Sequence, residues 1–331
     1  MPVKKFLVIQ TAFIGDAILA TALLEELHNN FADAKIDFLI RKGNESLFEN
    51  HPFINKLYIW DKKSRKYRTL FRILKNIRKE KYNHLINLQR FASTGLLVAL
   101  SGALQKIGFR KNPFSLFFDI RVNHDVKNGL HETERNHLLI SHLCKSETGR
   151  PGLYPSEKEF QKVVEYKLQK YICISPASVW FTKQFPIEKW IEFVNKVDKN
   201  IKIYLLGALA DKAFCEEIRE KCSNQNIENL AGLLNLLESA ALMKDAVMNF
   251  TNDSAPMHLA SAMNAPTTAL FCSTVPEFGF GPLASKSVIV QTKENLNCRP
   301  CGLHGKKNCP EGHFRCAWSI DIRELLATLK D

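Results

Sequence analysis

The chain has 331 residues, of which 45% are hydrophobic and 24% are charged. This length favours two domains of roughly 150 residues each. The apolar content lets each half bury a core, which excludes a fibrous or disordered chain. The formal net charge is +12. Such a charge favours an anionic partner, which would be nucleic acid, an anionic membrane surface or a phosphorylated substrate.

Residues 1–15 combine a basic start with an apolar run, as a signal peptide does. Gln10 and Asp16 interrupt the run, so we interpret it as a buried first strand. The longest other apolar stretch, 94–104, is shorter than the ~20 residues that a membrane-spanning helix needs. We therefore expect a cytoplasmic protein without a membrane-spanning helix.

The first half of the sequence alternates strand and helix patterns, which indicates β–α units around a parallel sheet. In chain order we predict a strand at Lys5–Gln10, a helix at Ile18–Phe31, strands at Lys35–Ile40 and Leu57–Trp60, a basic helix at Arg65–Lys81, a strand at His84–Leu88 and a helix at Thr94–Leu104.

The pattern lapses between Lys145 and Ser156, where Gly, Pro and Ser are concentrated, and this predicts a domain boundary. We assign the first domain to 1–150, a linker to 151–167 and the second domain to 168–331. The second domain repeats the alternation, with strands at Tyr171–Pro176, Ile201–Gly207, Ala246–Phe250 and Thr267–Cys272 and helices that begin at Glu188, Asp211, Leu236 and Ser254. Sheets of this kind bind ligands beyond the carboxyl ends of their strands.

The segment Thr11–Leu27 carries Gly15 and Asp16 between the first predicted strand and helix. Gly15 would permit a tight turn with close backbone approach. Asp16 is either a helix cap or an acid at the mouth of a cleft. The segment has neither the glycine pattern of a dinucleotide site nor a Walker A lysine, which disfavours a nicotinamide-dependent enzyme and a P-loop kinase.

Two segments of the second half suit a diphosphate. Ser178 and Lys183 follow a predicted strand, where hydroxyls and a lysine fit a pyrophosphate, although a solvated surface lysine is the simpler interpretation. Asp253 and Ser254 begin a helix whose free N–H groups would bind an anion. His258 lies about one turn further along and is either a packed core residue or a residue that faces the ligand.

Together these segments resemble glycosyltransferase family 9, the lipopolysaccharide heptosyltransferases, and the likeness spans nearly the whole chain. The matching positions are, in chain order, Gly15 and Asp16, then Lys183, Phe185 and Pro186, then Leu237 and Glu238, then Asp253, Ser254 and His258. Further similarities lie in Asn87–Gly95, in His131 and Arg135, and in Asn229–Gly232. Ala255 and the segment Phe271–Thr274 depart from the glycines that are usual in the family.

The resemblance implies a GT-B fold, in which two Rossmann-like α/β domains with parallel sheets face a central cleft. The first would bind the acceptor and the second the nucleotide sugar. It also implies inverting, metal-independent transfer of a heptose or related sugar from ADP-heptose to a lipopolysaccharide core or other lipid-linked acceptor. Asp16 would be the general base, and no cofactor is expected.

The residues that the resemblance assigns to the donor are Ser178, Lys183, Glu238, Asp253, Ser254, Ala255 and His258. It places Gly15 and Arg135 on the acceptor side. We expect a monomer whose basic stretch, Lys62–Lys81, attaches it through charge to the inner face of the cytoplasmic membrane.

Four of the nine cysteines crowd the segment 298–316, at Cys298, Cys301, Cys309 and Cys316. Their Cys-x-x-Cys opening suits either a structural zinc or reduced thiols packed against the core. Two alternatives to heptose transfer stay open. One is a glycosyltransferase that builds another surface glycan from a different nucleotide sugar, and the other is a basic, zinc-containing nucleic-acid-binding protein.

Overall fold

The computed structural model describes residues 3–145 and 147–330. The chain divides into two compact units, Met1–Tyr154 and Pro155–Asp331, called the N-terminal and C-terminal units below. Within the described residues, no helix is both long enough and apolar enough to cross a bilayer.

The N-terminal unit is built on a six-stranded sheet in the order β3–β2–β1–β4–β5–β6, and every strand pair is parallel. Its elements are β1 (Lys5–Gln10), α1 (Ile14–Leu19), α2 (Thr21–Asn30), β2 (Lys35–Arg41), β3 (Ile54–Trp60), α3 (Lys66–Glu80), β4 (His84–Asn87), α4 (Ala92–Leu100), β5 (Gln105–Phe109), β6 (Ile120–Val122) and α5 (Glu132–His137). Strand β1 is central and almost wholly buried, as its continuous apolar run predicts.

The C-terminal unit repeats this plan, with a second six-stranded parallel sheet in the order β12–β11–β10–β7–β8–β9. Its elements are α6 (Glu157–Lys162), β7 (Tyr171–Ser175), α7 (Ile187–Lys196), β8 (Lys202–Leu205), α8 (Lys212–Lys221), β9 (Ile227–Asn229), α9 (Leu236–Lys244), β10 (Asn249–Asn252), α10 (Ala255–Ala262), β11 (Thr267–Phe271), β12 (Ser287–Gln291), α11 (Arg315–Trp318) and α12 (Ile322–Ala327). The predicted α/β class, with two parallel sheets, is confirmed.

Each sheet has one point at which the strand order reverses, between β1 and β4 and between β7 and β10. Loops that leave such a point in opposite directions open a crevice at the carboxyl ends of the strands, where doubly wound sheets bind their ligands. In the N-terminal unit, these loops are residues 11–13 and 88–91. In the C-terminal unit, they are residues 176–186 and 253–254.

The predicted linker, 151–167, is partly helical, and all of it from Pro155 onward belongs to the C-terminal unit. It contains α6 and the 3-10 turn Val164–Lys167. Ser156 and Glu159 form a capping box at the start of α6, in which the Ser156 N–H donates to Glu159 Oε2 at 2.6 Å. The Gly- and Pro-rich run marks the boundary, but this short-range capping signal begins a helix soon after it.

Candidate active site

Asp16 lies in the first turn of α1, which follows β1 at the crevice of the N-terminal unit. The N-cap of that helix is Phe13, so Asp16 is not the capping residue itself. The pKa of Asp16 is raised from 3.8 to about 6. Burial is the largest cause and the charge of Glu132 adds to it, while hydrogen bonds with the backbone of Asp16 and Phe13 and the charge of Arg90 oppose this shift. A carboxylate with this pKa is mostly ionised at neutral pH and accepts a proton readily, which is what a general base requires.

Glu132 keeps its negative charge because basic groups surround it. Its Oε2 accepts a hydrogen bond from Arg135 Nε at 2.8 Å and lies 3.1 Å from His124 Nε2. Burial acts to raise the pKa of Glu132, but the hydrogen bond to His124 and the charges of His124 and Arg135 bring it below its ordinary value. An ionised Glu132 therefore opposes ionisation of Asp16.

The contacts of Arg135 and the backbone of Gly15 bear on the assignment of these two residues to the acceptor side. Arg135 is fully buried, and its guanidinium binds Glu132 and the carbonyl of Leu130. It therefore positions Glu132. Gly15 lies inside α1 with no positive φ, so a tight turn does not explain this glycine.

Neither Glu132 nor its partner His124 was predicted from the sequence, although Glu132 raises the pKa of Asp16. His131 and Arg135 in the same segment were predicted to match the family, and His131 is the N-cap of α5. Glu132 lies between those two residues in the sequence, three positions before Arg135. This spacing allows an ion pair along a helix, and it was the signal that could have identified Glu132.

In the C-terminal unit, Lys183 and Asp253 come together from the two loops at the crevice. Lys183 Nζ lies 2.6 Å from Asp253 Oδ2, and the two side chains are only 14% and 8% exposed. Thr274 Oγ1 donates to the same carboxylate at 2.6 Å. Lys183 is therefore a fixed, largely buried cation and not a solvated surface lysine.

Helix α10 begins beside this ion pair. Ser254 is its N-cap, Pro256 at the second helical position has no N–H, and the N–H of Met257 donates to the Ser254 carbonyl at 3.1 Å. The N–H groups of Ser254 and Ala255 are then those that the helix start presents to an anion. Ala255 has a helical backbone, so its methyl group causes no backbone strain where the family usually has glycine. His258 is buried within the first turns.

Ser178 lies in the loop 176–186 that also carries Lys183, and Glu238 lies in the first turn of α9. Ser178 is half-buried, and its carbonyl accepts a hydrogen bond from Gln184 Nε2 at 2.6 Å. Glu238 forms a capping box with Asn235 at the start of α9, where its Oε2 accepts from the Asn235 N–H at 2.8 Å. This bond gives the carboxylate of Glu238 a fixed orientation.

The cysteine-rich segment packs against the loop that carries Lys183. The Thr182 N–H donates to the Lys306 carbonyl at 3.1 Å, and the Lys306 N–H donates to Thr182 Oγ1 at 2.8 Å. Gly305 has φ +75°, and a Cβ there would lie 3.1 Å from Lys183 Cγ. The segment therefore supports the position of Lys183.

The four cysteines of this segment line one cavity of about 360 Å³, together with His313. Even so, no group of three or more His, Cys, Asp or Glu in the described part of the chain is arranged to hold a metal ion. The structural zinc at Cys298, Cys301, Cys309 and Cys316 stays a prediction. Cys316 lies in the hydrophobic core, where burial raises the pKa of its thiol to about 12 and favours the neutral form.

The chain is similar to known proteins in sequence and in fold. The model of glycosyltransferase family 9 (heptosyltransferase) matches residues 70–313, which is more than half of the chain. Lipopolysaccharide heptosyltransferase 3 of Escherichia coli is 28% identical over 282 residues, which cover 79% of this chain and 82% of that protein.

Among solved structures, a family 9 glycosyl transferase from Veillonella parvula superposes with a TM-score of 0.83 at 22% identity, covering 99% of this chain and 96% of that one. The ADP-heptose lipopolysaccharide heptosyltransferase II of Escherichia coli superposes with a TM-score of 0.76 at 21% identity, covering 98% of both chains. At these identities the structures establish a shared fold. The match to the family model shows that this chain belongs to glycosyltransferase family 9, the heptosyltransferase family.

Proposed function

We propose that this enzyme transfers a heptose from ADP-heptose to a lipopolysaccharide core saccharide with inversion at the anomeric carbon. The names of its relatives support the sugar and the acceptor class, and one of them names the donor. The observation that carries the mechanism is Asp16, a carboxylate at the crevice of the N-terminal unit whose pKa is raised to about 6.

The proposed reaction is a single displacement. An acceptor hydroxyl oxygen attacks the anomeric carbon of the heptose while the bond from that carbon to the β-phosphate oxygen breaks. The hydroxyl proton passes to Asp16, and ADP leaves with the electrons of the broken bond. Because attack and departure occur on opposite faces of the carbon, the product has the inverted configuration.

The C-terminal unit supplies the groups for the departing diphosphate. Lys183 is held by Asp253 through one of its three N–H bonds, which leaves two for phosphate oxygens. The N–H groups of Ser254 and Ala255 add the positive end of a helix, and the Ser178 hydroxyl is a further donor. His258 would lie beside the phosphates or the sugar.

Glu238 is proposed to bind the ribose of the nucleotide. Its Oε2 is engaged by Asn235, so Oε1 is the atom that we assign to the ribose hydroxyls. Ala255 and the segment Phe271–Thr274, which depart from the family pattern, lie on the same side of the C-terminal unit. These departures favour one competing function, in which the donor is a different nucleotide sugar and the product another surface glycan.

We further propose that catalysis needs neither a divalent cation nor a cofactor, because a lysine and a helix N-terminus already neutralise the leaving diphosphate. The enzyme would act as a cytoplasmic monomer at the inner face of the cytoplasmic membrane, where a lipid-linked acceptor is accessible. Turnover should survive EDTA. Loss of turnover that magnesium or manganese restores would contradict this part of the proposal.

A donor screen tests the proposal. Purified protein is heated in the presence of ADP-, UDP-, GDP- and TDP-sugars, since a ligand that binds only the folded state raises the melting temperature. We expect ADP-heptose to give the largest rise, and we expect transfer from it to a lipopolysaccharide-core acceptor. A larger rise with another nucleotide sugar, and transfer from that sugar alone, would establish the competing function instead.

A further inference from the structure

Helices α3 and α4 of the N-terminal unit border an open groove of about 670 Å³. Its lining is largely apolar and includes Trp60, Tyr67, Phe71, Phe91, Leu96 and Leu100. Tyr67, Phe71 and Phe91 are 67%, 68% and 62% exposed. Single exposed apolar residues are ordinary on protein surfaces, but a contiguous group around a groove marks an interaction surface.

Helix α3 has three distinct faces. Leu70, Ile73 and Ile77 are buried against the core, and Tyr67 and Phe71 lie one turn apart along the groove. The third face is basic and exposed, and it consists of Arg68, Arg72, Lys75 and Lys79, which recur every three or four residues. An exposed aromatic strip beside a basic strip is typical of a helix that lies in the interface of a membrane.

The basic charge of α3 is not neutralised within the protein. In the described ranges, no ion pair involves Lys66, Arg68, Arg72, Lys75, Arg78 or Lys79. The helix has one acid, Glu80 at its end, which pairs with Lys5 and Lys56 at 3.2 and 3.0 Å. A second copy of this chain would bring a like charge of +12 to the groove, whereas an anionic lipid surface complements it.

The groove also reaches the proposed catalytic loop. Lys62 lines one end of it, and its Nζ donates to the Thr11 carbonyl at 2.7 Å. Thr11 lies in the connection between β1 and α1, the helix that carries Asp16. A lipid-anchored acceptor held at the groove would therefore have its saccharide close to that loop.

We propose that the surface formed by α3, α4 and their groove, the α3–α4 face, docks the enzyme on an anionic bilayer. Tyr67, Phe71 and Phe91 enter the boundary between headgroups and acyl chains, with Leu96 and Leu100 behind them. The basic strip of α3 binds lipid phosphates. Docking thus combines apolar insertion with charge, which goes beyond the attachment by charge alone that the sequence predicts. This inference does not depend on which nucleotide sugar is the donor.

The test is co-sedimentation of the full chain with vesicles of phosphatidylcholine alone or mixed with phosphatidylglycerol, at low and high salt. One variant replaces the aromatic strip, Tyr67→Ser with Phe71→Ser, and another replaces the basic strip, Arg68→Gln with Arg72→Gln and Lys75→Gln. The matched controls lie in the C-terminal unit. They are Leu168→Ser, an apolar side chain that is 85% exposed, and the triple variant Lys158→Gln, Lys162→Gln and Lys199→Gln.

We expect binding to the anionic vesicles only, weakened but not abolished by high salt, because salt screens charge and leaves apolar insertion intact. The aromatic and basic variants should each lose about ten-fold or more in partitioning, and both controls should bind normally. Transfer to a water-soluble acceptor without acyl chains should be unchanged in the aromatic variant, which separates failure of docking from failure of the proposed chemistry.

Three results would overturn the inference. The first is equal binding to both vesicle types, and the second is normal binding by the aromatic variant. The third is a dimer in sedimentation velocity that the aromatic variant converts to a monomer, because a second copy would then cover the groove. The melting temperature of each variant verifies that it is folded, as expected for changes at exposed positions.

Discussion

The two units share one strand order but have different ionisable side chains at the point where that order reverses. In the N-terminal unit, burial and the charge of a nearby second acid raise the pKa of Asp16 to about 6. In the C-terminal unit, a buried lysine is fixed by an aspartate next to a helix N-terminus. We propose that one scaffold thereby provides a site for accepting a proton and a site for neutralising a diphosphate. Function depends on the side chains placed in these loops and not on the sheet itself.

The largest expected effect is that of Asp16→Asn, which removes the proposed base from the N-terminal unit and leaves the C-terminal unit intact. The turnover rate should fall about 100- to 10,000-fold, while affinity for the donor stays within about two-fold. Steady-state kinetics with donor titration measures both. Asp33→Asn, an exposed acid of the same unit, is the control and should behave as wild type. Near-normal turnover of Asp16→Asn would show that Asp16 is not the base and that it only stabilises the start of α1.

Lys183→Ala makes the complementary change in the C-terminal unit. Loss of a charge-assisted hydrogen bond to the diphosphate should weaken ADP binding about 10- to 100-fold. The change also leaves Asp253 without its ammonium partner, so Lys183→Ala should be compared with Lys183→Ala combined with Asp253→Asn in calorimetric titrations. His258→Ala should weaken ADP binding less, and the exposed Lys199→Ala should not weaken it. Unchanged ADP affinity in Lys183→Ala and in its combination with Asp253→Asn would contradict the assignment of the donor site to the C-terminal crevice.

The pH dependence of kcat/KM tests the N-terminal unit alone, because it reports the pKa of the proposed base, Asp16. The base acts when ionised, so kcat/KM should fall about ten-fold per pH unit below pH 6 and level off above it. Arg90→Gln removes a nearby positive charge that lowers the pKa of Asp16, so the acidic limb should move to higher pH. Arg90 is exposed, so we expect the Arg90→Gln variant to fold normally. A limb that stays in place, or moves to lower pH, would contradict the assignment.

A smaller effect concerns stability. The folded-state pKa of Asp16 lies above its ordinary value of 3.8, so the folded protein binds this proton more tightly than the unfolded chain does. Ionised Asp16 therefore costs stability, and the cost develops as pH rises through the interval from 3.8 to about 6. Asp16→Asn should raise the free energy of unfolding at pH 7 by about 1–3 kcal/mol, with little gain at pH 4. Thermal melts of both proteins at the two pH values measure this, and a loss of stability at pH 7 would mean that the carboxylate is structural.

Apolar strands were predictable, whereas strands with buried polar side chains were not. The run KFLVIQ predicts β1 with the bounds that the structure has. The strand predicted at Ala246–Phe250 instead lies at Asn249–Asn252. Asn249 and Asn252 are wholly buried there because their amides donate to the carbonyls of Met243 at 2.9 Å and Pro176 at 2.7 Å. Pro176 is 76 positions from Asn252, and a hydropathy pattern reveals neither partner, because it records burial and not hydrogen bonds.

Local interactions also moved helix boundaries. One helix was predicted at Ile18–Phe31, but the structure has α1 and α2, which meet at Ala20. The Thr21 hydroxyl donates to the Ile18 carbonyl at 2.6 Å at this junction. The apolar period continues across both helices, which is why the pattern predicted only one. The strands β5, β6, β9 and β12 and the helices α5, α6, α11 and α12 were not predicted at all.

The candidate site was predictable in its residue types and not in its contacts. Strand ends followed by Asp16, Lys183 and Asp253 indicated where ligands would bind, because the carboxyl ends of parallel strands share one edge. The pairing of Lys183 with Asp253 joins residues 70 positions apart, and the effect of Glu132 on Asp16 depends on a helix that the pattern did not predict. Both require the folded positions of the loops.

The anomeric configuration of the product tests the central claim most directly. A single turnover with ADP-heptose and a lipopolysaccharide-core acceptor is followed by NMR of the glycosidic linkage formed. Direct attack by a hydroxyl whose proton passes to Asp16 predicts one product with the configuration opposite to that of the donor, released together with ADP. A product that retains the donor configuration would contradict the account, because a single displacement with one carboxylate base cannot form it.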